Sequence, residues 1–364
     1  MSRFNGENIQ ISIFGQSHSD AIGVVIDGLP SGITVNEENI KSFMKRRAPS
    51  SSKFSTQRKE EDAPIFVSGV LNGKTTGASV CAIIFNKDQR SKDYSALFNT
   101  PRPGHADYTA RVKYKGFEDT RGGGAFSGRM TAPLCIAGAI AKDYLAEKGI
   151  TIGSHILSIG EISEERFDPV CVTADELTSV TAKSFGTLSD EKGAQMLEKI
   201  ADARSDRDSL GGVIECAAVG VPAGFGGELF DGVESELASL VFSVPAVKGF
   251  EIGSGFEASR LFGSKNNDSF YYDASGNVKT ETNNHGGILG GITSGMPLIF
   301  KVAIKPTPSI SKVQKTVNLQ TKENTEIVIG GRHDSCIVPR ALPVIESCLA
   351  ITLLDKIIKK DLYT

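Results

Sequence analysis

The sequence predicts an α+β fold rather than a doubly wound parallel sheet. Three observations support this prediction. Short β-branched runs bounded by glycine are typical of strands, longer stretches have helical periodicity, and the two kinds follow one another in mixed order. Strict alternation of strand and helix, which a doubly wound sheet requires, is not found.

The predicted elements follow from these patterns in chain order. Alternating or β-branched runs predict strands at residues 9–14, 23–27, 65–70, 80–85, 213–221, 298–304 and 326–329. Apolar residues at helical spacing predict helices at residues 37–47, 131–148, 190–203, 233–242 and 341–359. The acidic stretch at residues 158–189 has neither pattern, and we expect an irregular surface excursion there.

The domain organisation follows from length and from a repeated motif. A chain of 364 residues is compatible with one large domain or two medium ones, and no proline- or serine-rich linker divides it, which favours a single domain over residues 1–364. GVVIDGLPSG from Gly23 and GVIECAAVGVPAG from Gly212 both end a strand in Gly-x-Pro-x-Gly. An internal two-fold duplication explains this echo, and chance recurrence explains it equally well.

The composition excludes several classes of protein. A hydrophobic content of 40%, a charged content of 23% and a net charge of -3 are ordinary for a globular protein and argue against a disordered chain or a dedicated nucleic-acid binder. The longest apolar run, at residues 341–358, is interrupted by Pro343, Glu346 and Asp355 and is too polar for a membrane span. A start without an apolar signal core favours the cytoplasm.

The six cysteines are dispersed and lie mostly among apolar residues. Because they form no CxxC pair, we interpret them as reduced core thiols rather than as a disulfide framework or a metal site.

Two glycine motifs are candidate phosphate sites. Gly69-x-x-x-Gly73-Lys74-Thr75 is one residue shorter than a P-loop and is followed by a strand pattern, which predicts a plain hairpin turn. The run Arg121-Gly122-Gly123-Gly124, which leads into a predicted helix, is the better candidate. Its glycines let backbone amides approach an anion, and the helix start adds positive potential. A flexible surface loop is the alternative explanation.

Four of the five histidines lie in polar or glycine-rich contexts: His18, His105, His285 and His333. None has metal-ligand spacing, so acid–base or ligand-orienting work is the favoured interpretation over metal binding. Arg102, Arg121, Arg129, Arg332 and Arg340 lie beside these motifs, a set suited to a ligand that carries phosphate and carboxylate groups. The basic stretch at residues 45–59 has no interleaved aromatics for base stacking, which makes nucleic acid a distant alternative.

Nine longer motifs, in chain order, resemble those of the chorismate synthase family. They are GQSHSDAIGVVIDGLPSG from Gly15, RRAPSSSKFSTQR from Arg46, DQRSKDYS from Asp88, RPGHADYT from Arg102, RGGGAFSGRMTAPLCIAGAIAK from Arg121, AVKGFEIGSGF from Ala246, NNHGGILGGITSG from Asn283, IKPTPSI from Ile304 and GRHDSCIVPRALPVIES from Gly331. The resemblance runs almost end to end, and motifs of this length and number are specific.

The resemblance implies a lyase that removes phosphate from 5-enolpyruvylshikimate 3-phosphate by anti 1,4-elimination and yields chorismate. It implies a dependence on reduced FMN without net redox change, a homotetramer, and helices layered between antiparallel sheets in a β-α-β sandwich. Whether the chain reduces its own flavin with NADPH is left open. The lack of a dinucleotide fingerprint favours an external flavin reductant.

The resemblance also implies roles for individual residues. His18 would protonate or stabilise the departing phosphate, His105 would protonate or hydrogen-bond the reduced flavin ring, and Asp334 would act with the flavin N5 in removing the ring hydrogen. His333 would position its neighbours. Substrate anions are expected at Arg47, Lys53, Arg129, Arg332 and Arg340. Flavin contacts are expected from Ala125, Phe126, Ser127, Pro245, Ala246, Asn283, Gly290, Lys305, Pro306, Thr307, Pro308, Ser309 and Arg332.

The chain departs from the family pattern mainly in RGGGAFSGRMTA, where the family typically has RGGGRSSARETA. Ala125 replaces an arginine, Phe126 a serine and Met130 a glutamate. These changes predict a weaker contact to the flavin phosphate, with the backbone amides retained. Lys53 likewise stands where the family usually has arginine.

Overall fold

A computed structural model describes residues 2–48, 62–86, 98–330 and 333–362. Its first half contains β1 (Arg3–Asn5), β2 (Gln10–Gly15), β3 (Ala21–Asp27), α1 (Glu37–Arg47), β4 (Ile65–Ser68), β5 (Val70–Leu71), β6 (Lys74–Thr75), β7 (Val80–Phe85), α2 (Asp107–Tyr114) and α3 (Thr131–Glu147).

The second half contains β8 (Thr151–Ile159), β9 (Ile162–Ser163), α4 (Ala174–Ala182), α5 (Asp190–Ser205), β10 (Gly212–Val219), α6 (Val233–Ser243), β11 (Val247–Ile252), α7 (Gly263–Asn266), β12 (Phe270–Tyr272), β13 (Val278–Thr280), β14 (Ile288–Leu289), β15 (Ile292–Thr293), β16 (Leu298–Ile304), β17 (Gln314–Asn318), β18 (Glu323–Ile327) and α8 (Val338–Leu362).

Two antiparallel five-stranded sheets enclose a layer of helices. The first sheet has the order β1-β2-β3-β7-β4 and the second β11-β16-β10-β8-β9. Helix α3 packs on β2, β3 and β7 of the first sheet, α8 packs on β8 and β10 of the second, and the two helices pack on each other. The predicted α+β sandwich, with helices between antiparallel sheets, is confirmed. None of the helices in the described ranges is long and apolar enough to cross a membrane.

Helix α1 illustrates how local sequence fixes these elements. Asn36 caps its start by accepting hydrogen bonds from the backbone amides of Glu38 and Asn39. The acidic residues of the first turn interact favourably with the positive end of the helix dipole. Ile40, Phe43, Met44 and Arg47 are buried at helical spacing. Because Arg47 is the last residue of α1, its guanidinium lies at the C-terminal end of this helix.

The two halves repeat one topology. The first unit runs β2-β3-α1-β4-β7-α3, the second runs β8-β10-α6-β11-β16-α8, and the strand order β2-β3-β7-β4 in one sheet matches β8-β10-β16-β11 in the other. Between the last two strands of each unit lies a short hairpin, β5–β6 or β14–β15. This repeat favours duplication over chance as the explanation for the Gly-x-Pro-x-Gly echo.

The echoed turn is held in the same way in both units. Thr75 Oγ1 donates to Pro30 O at 2.6 Å and accepts from Ile33 N at 2.9 Å. In the second unit Thr293 Oγ1 donates to Pro222 O at 2.7 Å and accepts from Phe225 N at 3.0 Å. Each hairpin therefore supplies one threonine that locks the turn after the second strand of its unit.

Several element predictions need correction. The stretch at residues 158–189 is not irregular: helix α4 lies in it, and Leu177 and Val180 of that helix are buried beside Phe167. Strands β8 and β11 were not predicted, and β17–β18 forms a hairpin where only one strand was expected. Gly69 to Thr75 is the predicted hairpin, with β5 paired to β6. Four cysteines are buried and Cys81 is half-buried, but Cys171 is exposed.

Candidate functional site

A cavity of about 660 Å³ lies where α3 and α8 begin and where α1 and α6 end. Its volume is typical of a small-molecule site. The partial charges of two helix N-termini and two helix C-termini oppose each other there, so the arginines that line the cavity are what favour an anionic ligand. The cavity gathers most of the residues selected from the sequence: Arg47, His105, Ala125, Phe126, Ser127, Arg129, Pro245, Ala246, Lys305, Thr307, Pro308, Ser309, His333, Asp334 and Arg340.

The glycine run forms a tight loop between two histidines. Gly122, Gly123 and Gly124 have φ values of 64°, 100° and 55°, which favour residues without a Cβ. A Cβ at Gly122 would overlap the ring of His18, and one at Gly123 would lie 3.2 Å from His105 Nε2. Gly122 lines the cavity, so His18, which is 2% exposed, lies directly behind the wall.

His105 is held by Asp107, two residues further along the chain. Its Nδ1 lies 2.5 Å from Asp107 Oδ1, and the same carboxylate accepts from Arg102 Nε at 2.7 Å and from Arg102 Nη2 at 2.8 Å. Burial alone would raise the pKa of Asp107, but the bonds from Arg102 and His105 hold that pKa well below its usual value. Asp107 is therefore a carboxylate that orients the imidazole toward the cavity.

Arg47 and Arg129 share a buried counterion. Asp62 Oδ2 accepts from Arg47 Nη1 at 2.9 Å, and Asp62 Oδ1 accepts from Arg129 Nη1. Burial lowers the pKa of Arg47 to about 10, and the repulsion of Arg340 and Arg129 acts in the same direction, against the attraction of Asp62. At neutral pH the guanidinium stays charged, so the cavity wall presents a fixed positive field.

Asp334 and Arg340 form an ion pair at the start of α8. Arg340 Nη1 donates to Asp334 Oδ2, and Arg340 Nε donates to Arg47 O at 2.9 Å. Asp334 is 7% exposed. The expected base and an expected anion-binding arginine thus contact each other, and both line the cavity. His333 lines it too, and its Nε2 lies 3.2 Å from Gly330 O.

The remaining wall suits a flat ligand with a phosphate. Phe126 is 39% exposed and lines the cavity beside Ala125 and Ser127. Lys305 also lines the cavity, and burial, together with the nearby Lys248 ammonium, lowers its pKa. Thr307 Oγ1 is buried with no hydrogen-bond partner among the residues that the structure describes, which leaves a hydroxyl for a ligand.

Some predicted residues lie outside this cavity. The Asn283 side-chain amide donates to Pro169 O and Pro297 O, both at 2.8 Å, so it supports a loop. Gly290 is an exposed residue of the turn between β14 and β15. Neither contacts the cavity within one chain, and a flavin contact from them stays a prediction. Pro306 lies between two lining residues without lining the cavity itself. Lys53 and Arg332 fall outside the described residues.

Two carboxylates of the site, Asp62 and Asp107, were not predicted from the sequence. Asp107 stands in the RPGHADYT motif, and its spacing from His105 was the available signal. Asp62 gave no such signal, because its partners Arg47 and Arg129 are 15 and 67 residues away. Only the structure marks Asp62 as unusual, because its φ of 49° is a conformation that non-glycine residues rarely adopt.

The fold and the cavity together define an enzyme, one with acid–base groups beside a site for an anionic small molecule. A family model described as "Chorismate synthase" matches residues 9–358. Proteins named chorismate synthase from Methanocaldococcus jannaschii and Thermococcus gammatolerans are each 46% identical to the chain; the match covers 97% of this chain and 96% of the first, and 98% of both chains for the second. The chain belongs to the chorismate synthase family, which are lyases.

A solved structure agrees with this assignment. A crystal structure titled as chorismate synthase superposes with a TM-score of 0.77 at 28% identity, and the match covers 98% of this chain and 93% of that one. Membership in this family supports the assignment of one reaction to the chain, the conversion of 5-enolpyruvylshikimate 3-phosphate to chorismate.

Proposed function

We propose that the chain eliminates phosphate from 5-enolpyruvylshikimate 3-phosphate by anti 1,4-elimination, with reduced FMN required and no net redox change. The observation that carries the proposal is that a single cavity is lined by four arginines, His105 and Asp334. The substrate carries a phosphate and two carboxylates, and such a field binds and orients anions.

The residues present fit a flavin mononucleotide. Phe126 offers a flat apolar surface, the amides of the 125–127 segment can approach the ligand, Thr307 Oγ1 is a buried hydroxyl without a partner in the described structure, and Lys305 supplies charge for a phosphate. When bound, the reduced cofactor supplies electron density that assists phosphate loss. The donors of the wall would fix its position beside His105.

The chain's own groups would carry the protons. Arg47, Arg129 and Arg340 hold the substrate anions, and His105, oriented by Asp107, presents Nε2 to the flavin ring. Asp334 would act with the flavin N5 in removing the ring hydrogen, and its pairing with Arg340 keeps the carboxylate in the cavity. His18, buried behind Gly122 of the cavity wall, would stabilise the departing phosphate. Lys53 and Arg332 remain proposed ligands.

One experiment tests this function. The purified chain is mixed anaerobically with reduced FMN and 5-enolpyruvylshikimate 3-phosphate, and released phosphate and chorismate are measured. We expect equimolar products with reduced FMN and none with the oxidised form. Absence of both products with reduced FMN present would refute the proposal.

A second candidate is a flavin-binding protein without lyase activity. Ala125, Phe126 and Met130, which replace an arginine, a serine and a glutamate of the family pattern, favour it, whereas His105 and Asp334 in the cavity oppose it. The same assay separates the two, because the second candidate binds FMN and releases no phosphate. Salt-dependent binding of an oligonucleotide would instead support the nucleic-acid alternative.

We further propose a cytoplasmic homotetramer that receives its reduced flavin from an external reductase. Exposed large apolar side chains, among them Phe230, Phe256, Phe262 and Tyr272, supply surface for subunit contacts. Light scattering measures the assembly, and cell fractionation measures the location. Adding NADPH to the chain with oxidised FMN should leave the flavin absorbance unchanged.

A further inference from the structure

We propose that Asp62 is a positioning residue of the anion site, which sets the spacing of Arg47 and Arg129 so that both can contact one oxyanion of the ligand. The inference rests on the proposed function only in taking these two arginines as anion ligands. Asp62 itself would touch no ligand.

The first support is the bridging geometry. Each oxygen of the Asp62 carboxylate accepts from a different guanidinium, Oδ2 from Arg47 and Oδ1 from Arg129. The Asp62 side chain is 0% exposed and both arginine side chains are 5% exposed, so water does not compete for these bonds. Because Arg47 ends α1 and Arg129 lies just before α3, the carboxylate fixes the relation between two separate elements.

The second support is that the other contacts of both arginines also orient them. Arg47 Nη2 donates to Gly128 O at 2.8 Å and Arg47 Nε donates to Thr131 Oγ1 at 3.2 Å. Arg129 Nε donates to Asn86 Oδ1 at 3.1 Å. Guanidinium recognition of an oxyanion depends on the direction of its N–H groups, so such anchoring prepares the site before the ligand arrives.

The third support is the backbone of Asp62. Its φ of 49° lies in the left-handed region, which aspartate tolerates better than most residues but which still disfavours a side chain. Such conformations are kept where the surroundings hold them and concentrate at ligand sites. Three residues later β4 begins, so the carboxylate is attached to the edge of the first sheet.

A purely structural role predicts a different outcome, and a matched control can separate the two. Glu215 is also a fully buried carboxylate that bridges two side chains, His155 and Arg166, but none of the three lines the cavity. Removing either carboxylate charge should lower the thermal midpoint. Only the loss of Asp62 should affect anion binding.

The experiment measures inorganic phosphate binding by calorimetry, with no flavin or substrate added. We expect Asp62→Asn to bind phosphate about ten-fold more weakly than the unmodified chain, since small misplacements of oriented groups have effects of this size or larger. Glu215→Gln should bind phosphate as the unmodified chain does, despite its lower midpoint. Equal binding by Asp62→Asn, equal weakening by Glu215→Gln, or no saturable phosphate binding by the unmodified chain would overturn the inference.

Two further measurements complete the test. If Asp62→Asn does not fold, Asp62→Glu keeps the charge and shifts the bridging carboxylate by one methylene, and unchanged phosphate affinity in that variant would refute the inference. In the lyase assay Asp62→Asn should raise KM more than it lowers kcat. A chain that releases no phosphate from substrate but loses phosphate binding on Asp62→Asn would refute the proposed function and leave this inference standing.

Discussion

Gly122 shows how a single missing Cβ shapes the site. The residue has a φ of 64° and lies against the ring of His18 on one side and the cavity on the other. Any side chain here would displace His18 or push the loop into the cavity. The absence of a Cβ at Gly122 is therefore needed for His18 to lie against this loop.

We predict that Gly122→Ala lowers kcat/KM by at least about 100-fold, because it displaces the loop between His18 and His105. Gly263→Ala is the matched control, since that glycine has no atom within 4 Å of a built Cβ and lies outside the cavity. Steady-state kinetics on both variants checks the prediction. Similar activity of Gly122→Ala and Gly263→Ala would contradict it.

A second prediction concerns Ala125, which is exposed on the cavity wall where the family pattern has arginine. Ala125→Arg should bind FMN several-fold more tightly, since a charge-assisted contact to the phosphate contributes about 1 kcal/mol at a partly exposed site. Fluorescence titration measures the affinity. Riboflavin, which lacks the phosphate, serves as the control and should gain nothing. An unchanged FMN affinity would show that the phosphate lies elsewhere.

At the scale of elements, α6 and α8 contact each other through an ion pair between Glu236 and Lys356. Burial raises the pKa of Glu236 to about 7, although Lys356 Nζ lies 2.8 Å from its carboxylate. The native state therefore holds this proton more tightly than the unfolded chain does. The resulting stabilisation is complete below the unfolded pKa of 4.5 and is lost as the pH rises through about 7.

Glu236→Gln should accordingly reduce the pH dependence of stability. Between pH 5 and pH 8 the unmodified chain should lose on the order of 2 kcal/mol more than the variant. Denaturant unfolding at the two pH values gives the comparison. An identical loss in both proteins would show that Glu236 is not the responsible group.

The elements also show what sequence patterns could and could not predict. Helix α1 and strands β7 and β16 were predicted at their observed bounds, because α1 and β7 bury residues at a single period and β16 is a short, mostly apolar run. Strand β8 was missed since its central residue is His155, a polar side chain with 0% exposure. Its partners Glu164 and Glu215 are 9 and 60 residues away, and their bonds outweigh burial and raise the pKa of His155.

The same reasoning applies to the candidate site. His105, Asp334, Arg47, Arg129 and Arg340 were identified from motifs and the family resemblance, and they line one cavity, whereas Arg121 is exposed outside it and pairs with Asp119. Asp62 could not be identified, because its role as a shared counterion depends on two arginines that only folding brings close to it. Local patterns reveal the groups that face a ligand and a near neighbour such as Asp107, whereas a supporting group such as Asp62 is defined by distant contacts.

At the scale of the whole molecule, the repeat makes a quantitative prediction. Thr75→Val and Thr293→Val each remove the same pair of hydrogen bonds in equivalent turns, so each should lower the free energy of unfolding by about 1–2 kcal/mol. The two threonines share no partner, and the double variant should show the sum within about 0.5 kcal/mol. Denaturant unfolding checks this. A large effect of only one substitution would show that the turns are not equivalent.

The bonds between Asp355 and the start of the chain have a consequence for folding kinetics. Its carboxylate accepts from the backbone amides of Glu7, Asn8 and Ile9, each at 2.8 Å, across as many as 348 positions of sequence. Contacts between such distant residues form late, after most of the chain has found its place. Asp355→Ala should therefore accelerate unfolding and leave the folding rate nearly unchanged. The Asp355 carboxylate thus slows unfolding and lengthens the lifetime of the native state.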